Sequence, residues 1–179
     1  MYTIYVTTHS ASNVYDGQQL TEAGYDLTGD VFSKFKYEIT CTGKRTNVGS
    51  SANTVSVKIS QLVTGSTNTW EDVTDWFNVV KTYGVLTISS RKITIQAGSK
   101  TEVYVSGATL ECKEYIIIGQ LIDGHEILVT FDGELDAVGT SVNRIDSVKI
   151  INKATGETVT RQYAIKIEDG ILEFLPPSV

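Results

Sequence analysis

The stretch Tyr83-Gly84-Val85-Leu86-Thr87-Ile88-Ser89-Ser90-Arg91-Lys92-Ile93-Thr94-Ile95 decides the fold. Leu86 and Ile88 stand two apart, as do Ile93 and Ile95, each pair flanking a threonine. That spacing puts side chains on one face of a strand, so the stretch reads as two half-buried strands end to end. Only Ser89-Ser90-Arg91 separates them. The first closes one copy of an internal repeat and the second opens the next.

Sliding the chain by about 90 residues matches it to itself along its length. Ile4 and Val6 fall on Ile93 and Ile95, Ser10 on Ser99, Val14-Tyr15 on Val103-Tyr104, and Leu20 on Leu110. Gly43, Val48-Gly49 and Asn53 fall on Gly133, Val138-Gly139 and Asn143, and Val57-Lys58-Ile59 on Val148-Lys149-Ile150. Val73-Thr74, Phe77, Val79, Gly84 and Leu86 then meet Val159-Thr160, Tyr163, Ile165, Gly170 and Leu172. The largest insertion lies in the first copy around Gly65 to Trp70. A period of this length marks tandem modules, so the expected domains are residues 1–90 and 91–179. With so short a joint they are expected end to end with limited swing.

Composition agrees with strands. Thr, Val and Ile supply 23, 19 and 17 of the 179 residues, and β-branched types favour the pleated sheet. In the first copy strands are expected near 2–8, 12–15, 24–27, 34–41, 54–60, 76–80 and 83–89, with the second copy in the same order. Trp70 to Trp76 offers a single helical turn. Gly43 and Gly133 read as hairpin-turn residues, Gly49 and Gly139 as loop positions needing positive φ, and Gly84 and Gly170 as openers of the last strand. Seven short strands in about 90 residues suit a sandwich. A net charge of -6 excludes a generic basic binder of nucleic acid or anionic lipid. No apolar run is long enough to insert this segment in a membrane as a helix. The chain opens inside a strand pattern and closes on Leu175-Pro176-Pro177-Ser178-Val179, so it reads as a piece of a longer protein.

Ser12-Asn13-Val14-Tyr15-Asp16-Gly17, Leu20-Thr21, Thr46-Asn47-Val48-Gly49, Asn53, Val57-Lys58-Ile59, Val73-Thr74-Asp75 and Tyr83 to Ile88 resemble the YDG/MBG-type tandem β-repeats of large bacterial cell-surface proteins. The second copy keeps the plan but carries Val103-Tyr104-Val105-Ser106-Gly107 at the signature. The resemblance covers essentially the whole chain. It implies an extracellular, adhesin-like stalk segment without a catalytic role, whose modules resemble immunoglobulin-like sandwiches or β-grasp domains. The missing central helix favours the sandwich. The expected fold is therefore all-β, two tandem immunoglobulin-like β-sandwich repeats end to end, with β-grasp-like modules as the alternative.

Candidate chemistry is sparse. His9 and His125 lie in polar, turn-like runs, and no nucleophile elbow, zinc-protease or phosphate-loop motif is present. Asp132-Gly133-Glu134-Leu135-Asp136 offers carboxylates to a hard cation, or is a solvated acidic hairpin; the first copy carries Lys44-Arg45 there instead. Cys41 shares a strand face with Tyr37 and Ile39 and reads as a buried free thiol; Cys112 sits at a strand or turn edge. Lys58 and Lys149 recur at one framework position. They are either edge lysines with solvated ammonium groups or partners of an intramolecular isopeptide bond to Asn53 or Asn143. Tyr15 and Tyr104 read as core seals. Trp70 falls in the insertion and Trp76 aligns with Gln162, so the repeat plan requires neither. They are candidate ligand-binding residues, or they cap an apolar end.

These readings give a non-catalytic extracellular spacer, with no cofactor and no metal, whose partners are neighbouring repeats of the same chain and which acts as a monomer. The alternative is an adhesive module that contacts a host glycan or matrix protein through the Gly65 to Trp76 loop.

Overall fold

The computed structural model describes residues 1–178. It is almost entirely β: sixteen strands and two 3-10 turns, with no α-helix among the described residues. The chain divides into two compact units, Met1–Ser89 and Ser90–Val179, one residue from the joint read in the repeat.

The first unit contains β1 (Tyr2–Thr8), β2 (Ala11–Val14), β3 (Tyr25–Gly29), β4 (Phe35–Cys41), β5 (Gly49–Ala52), β6 (Val55–Leu62), β7 (Trp70–Asp72), β8 (Phe77–Thr82) and β9 (Val85–Ser89). They form three sheets ordered β3-β1-β8, β2-β9-β5 and β4-β6-β7. β1 and β2 are two halves of one bent run, and so are β8 and β9. The two runs lie parallel along their whole length, from Tyr2↔Phe77 to Thr7↔Thr82 and then from Ala11↔Leu86 to Val14↔Ser89. The core lies between the first and third sheets. Ile4, Val6 and Phe77 meet Phe35, Val55 and Ile59 there, all buried. Alternation along β1 explains this: Ile4, Val6 and Thr8 point inward while Tyr5 and Thr7 point out.

The second unit repeats the plan with β10 (Arg91–Ala97), β11 (Lys100–Val103), β12 (Tyr115–Ile118), β13 (His125–Asp132), β14 (Gly139–Asn152), β15 (Tyr163–Glu168) and β16 (Gly170–Leu175). Its sheets are β12-β10-β15 and β11-β16-β14-β13. The register recurs residue for residue: Ile4↔Val79 becomes Ile93↔Ile165, Ala11↔Leu86 becomes Lys100↔Leu172, and the Leu20↔Arg45 bridge becomes Leu110↔Leu135. β14 runs unbroken where the first unit interrupts β5 and β6 at Asn53 and Thr54.

Several expectations change. β5 and β7 are extra strands, and the stretch Trp70 to Trp76 holds β7 followed by a 3-10 turn at Thr74–Trp76. β7 exists because the insertion closes a second hairpin on β6, with Val63 donating to the Thr69 carbonyl. Gly49 and Gly139 have φ of 126° and 137°, as expected. Gly43 and Gly133 instead have ordinary φ. They are glycine because a Cβ would lie 2.6 Å from the Oδ1 of Asn53 or Asn143. Cys41 is only half-buried, and Cys112 is the buried thiol; both are free.

Candidate functional site

The two tryptophans are not brought together. Trp70 pairs with Leu62 across the β6–β7 hairpin, on the face that carries Asp72, opposite the inward Ile59 face. Trp76 ends the 3-10 turn and packs edge-on to Phe35 at 6.4 Å between ring centroids. Both are half-exposed, at 45% and 49%. The turn that places Trp76 is held by Thr74. Its Oγ1 accepts the Ile59 amide at 2.9 Å and donates to Asp72 at 2.6 Å, which holds the Asp72 carboxyl below the ordinary carboxylate range. Thr160 does the same for Ile150 in the second unit, also at 2.9 Å, so the turn belongs to the framework and the indole is a local addition.

Trp76 borders an aromatic cluster that single-residue reading missed. Tyr2 lies 5.1 Å from Phe32, 5.9 Å from Phe35 and 5.2 Å from Phe77, and Phe35 meets Phe77 edge-on at 5.1 Å. The Lys34 ammonium stands 4.9 Å from the Phe35 ring centre and 5.7 Å and 5.8 Å from those of Tyr2 and Phe32, within cation–π range. Beside it Met1, Tyr2, Asp75 and Trp76 line a shallow depression. The residues come from the starts of β1, β4 and β8 and from the β3–β4 loop, so sequence distance hid them. The available signal was the count of aromatics that the second copy replaces: Arg91 for Tyr2, Ile122 for Phe32, His125 for Phe35 and Gln162 for Trp76.

In the second unit His125 and Tyr163 occupy the Phe35 and Phe77 positions. His125 Nδ1 lies 2.7 Å from the Tyr163 hydroxyl, which also accepts the Ile122 amide at 3.1 Å. Burial lowers the His125 pKa and raises that of Tyr163. His9 pairs with Asp26 at 3.1 Å, with both side chains largely in water at 49% and 68% exposure. Asp132, Glu134 and Asp136 are exposed, and no group of three or more His, Cys, Asp or Glu side chains suited to a metal occurs among the described residues. Among the described residues no helix is long and apolar enough to cross a membrane.

Asn53 and Asn143 are fully buried, and each ties two loops to its strand. The Asn53 side-chain amide donates to the carbonyls of His9 at 3.0 Å and Glu22 at 2.9 Å; Asn143 donates to those of Gly98 at 2.8 Å and Cys112 at 2.9 Å. Neither is placed for a bond to lysine. Lys58 faces solvent and pairs in register with Glu38, and Lys149 is exposed opposite Leu128. In the second unit Asn143 and Lys149 are six residues apart, and the β-bulge opposite Thr130 and Phe131 reverses the inward face between them, so the asparagine is buried while the lysine is exposed; in the first unit Asn53 is buried before β6 begins and Lys58 is exposed on it, which removes the isopeptide expectation.

No protein-family model, no curated protein and no solved structure matches this chain.

Proposed function

We propose that the chain is a non-catalytic, load-bearing spacer: two immunoglobulin-like β-sandwich repeats of the YDG/MBG type from the extracellular part of a bacterial cell-surface protein. The observation that carries this reading is the parallel pairing of first and last strands in both units, with six register pairs in β1–β8 and β10–β15 and four in β2–β9 and β11–β16. The start of one parallel strand and the end of its partner lie at opposite ends of the pair. Tension applied at the two chain ends of a unit therefore slides the strands past one another and loads every rung at once. An antiparallel pair pulled from its open end loses its rungs one by one. A spacer under tension needs the first arrangement, and the chain builds it twice.

The sandwich reading is supported by a core enclosed between facing sheets, and the family reading by the ordered motifs from Ser12 to Ile88. A second reading, an adhesive module that uses the Gly65 to Trp76 loop, is favoured by the half-exposed indoles. Binding of the chain to a panel of glycans and matrix proteins separates the two, with Trp70→Ala and Trp76→Ala alongside. The spacer reading expects no specific binding by any of the three proteins. Specific binding lost in a folded tryptophan variant would replace it with the adhesive one.

A further inference from the structure

The edge of a sheet is a row of unpaired amides and carbonyls, and proteins guard it with charged side chains. Among the described residues the second unit has four edge strands, β11, β12, β13 and β15. β11 carries Lys100 and Glu102, β13 carries Glu126 and Asp132, and β15 carries Lys166 and Glu168, joined as an ion pair. β12, Tyr115-Ile116-Ile117-Ile118, carries no charge. Strand alternation sends Ile116 and Ile118 to its solvent face, where they are 58% and 53% exposed. The first unit does not share this feature. Its β3 carries Asp26 and Thr28 at those positions, since Thr7↔Asp26 and Tyr5↔Thr28 correspond to Gln96↔Ile116 and Thr94↔Ile118. The repeated framework therefore does not require isoleucine there.

The ladder to β10 fixes which backbone groups the edge of β12 offers. The Gly98 amide donates to the Glu114 carbonyl at 2.8 Å, so these two residues form a hydrogen-bonded pair. Bonded and non-bonded pairs alternate along an antiparallel ladder, so Ile116 and Ile118 also turn their backbone groups to β10. Tyr115 and Ile117 turn theirs outward. A second β12 meets them donor to acceptor when Ile117 lies opposite Ile117 of the other copy, on a two-fold axis. Ile116 then faces Ile118 of that copy in a non-bonded pair, the closer kind, and the four isoleucines form one cluster. Sliding the partner by one residue mismatches the hydrogen bonds. Sliding it by two sets Ile118 against Glu114, or Ile116 against Gln120. We propose that β12 pairs with β12 of a second copy in this register, joining two three-stranded β12-β10-β15 sheets edge to edge. The chain then acts as a dimer, where the sequence reading expects a monomer. Both copies use the same surface, so the contact closes at two. Four strand residues a side fall well short of the roughly 20–30 of a standard interface, which makes the dimer weak. The proposal stands apart from the load-bearing reading, because β12 lies outside the parallel pairs on which that reading rests.

Sedimentation of the whole chain across about 10 μM to 1 mM tests it, the range in which weak contacts populate. The average mass is expected to rise with concentration and level off at that of a dimer. Ile116→Asp and Ile118→Thr install what the first unit carries, on a solvent face away from the core, and near-UV dichroism checks their folding. Each is expected to weaken association about tenfold or more, as loss of two cross-strand apolar pairs does. A mixture of Ile116→Cys and Ile118→Cys, oxidised with glutathione disulfide, reads the register. Directly opposite positions stand about 4.5 Å apart between Cα atoms, within reach of a disulfide, whereas diagonal ones at about 7–8 Å are not. Bridges between positions 116 and 118 are therefore expected to outnumber bridges between like positions, with the parent, which keeps Cys41 and Cys112, as the blank. A monomer mass at every concentration, a mass that climbs past a dimer, variants that associate as the parent does, or a majority of like-position bridges would each overturn the proposal.

Discussion

At the scale of the residue, Asn53 and Asn143 hold each module's sheets to its loops. Each amide donates to two carbonyls on separate loops, in bonds that are part-buried or, at Cys112, buried, and each Oδ1 is buried without a partner beneath a glycine. Removing the amide orphans both carbonyls, at about 1–3 kcal/mol apiece. Asn53→Ala is therefore expected to destabilise the first module by about 2–4 kcal/mol, roughly 10 °C or more in its melting step, while the second module keeps its own. Thermal unfolding followed by Trp70 and Trp76 fluorescence reads the first module alone, because both tryptophans lie in it. His125 gives the second module a pH dependence of its own. Burial lowers its folded pKa below the ordinary value of about 6.5. Above that value neither the folded nor the unfolded chain holds the proton, and stability is complete. As pH falls from about 6.5 through the lowered folded value, the unfolded chain takes up a proton that the fold resists, and stability is lost. His125→Phe installs the first module's residue and removes that loss. Melting of both proteins between pH 8 and pH 5 is expected to show a constant difference above pH 7, set by the lost His125–Tyr163 hydrogen bond, and a parent that loses stability relative to the variant as pH falls below about 6.5, with carboxylate effects common to both cancelling. A parent protein whose second module is equally stable across the range would contradict the assignment.

At the scale of the element, the strands with strict alternation were legible in advance. β1, β4, β6 and β9 appear within two residues of their expected bounds, because one face of each is a row of Ile, Val, Leu, Phe or Tyr against the core. β5 and β7 were not legible, for different reasons. Gly49-Ser50-Ser51-Ala52 has no apolar alternation at all and is a strand only because β9 offers it a ladder. Trp70-Glu71-Asp72 is made by the closing of a hairpin loop, a tertiary event that no local pattern records. The glycines divide along the same line. Gly49 and Gly139 announce a positive φ through their loop setting, whereas Gly43 and Gly133 are small because Asn53 and Asn143 approach them from a distant strand. The candidate site was half legible. Both tryptophans were singled out by their absence from the second copy, and both proved exposed. The setting of Trp70 opposite Leu62 and of Trp76 against Phe35, and the aromatic cluster around Tyr2 and Lys34, depend on strand register and loop packing that spacing alone does not carry.

At the scale of the whole molecule, the duplication is the fact from which the functional reading grows. Two units share a register, a threonine-locked turn and an asparagine lock, and differ mainly at their ends and in one loop. A framework repeated this closely, with its first and last strands parallel in each copy, is what the spacer proposal rests on, because such pairing would load its rungs together under extension along the chain. Single-molecule pulling on the chain from its two ends tests that most directly. Each unit of about 90 residues, extended at about 3.6 Å per residue, gives a contour length near 30 nm. Two abrupt steps are expected, each lengthening the chain by that contour less the folded unit's own span, at forces well above those needed when the same protein is held at Ser33 and Thr64, across the antiparallel β4–β6 hairpin. Gradual extension, a single step for the whole chain, or end-to-end steps no stronger than the hairpin's would contradict a load-bearing spacer.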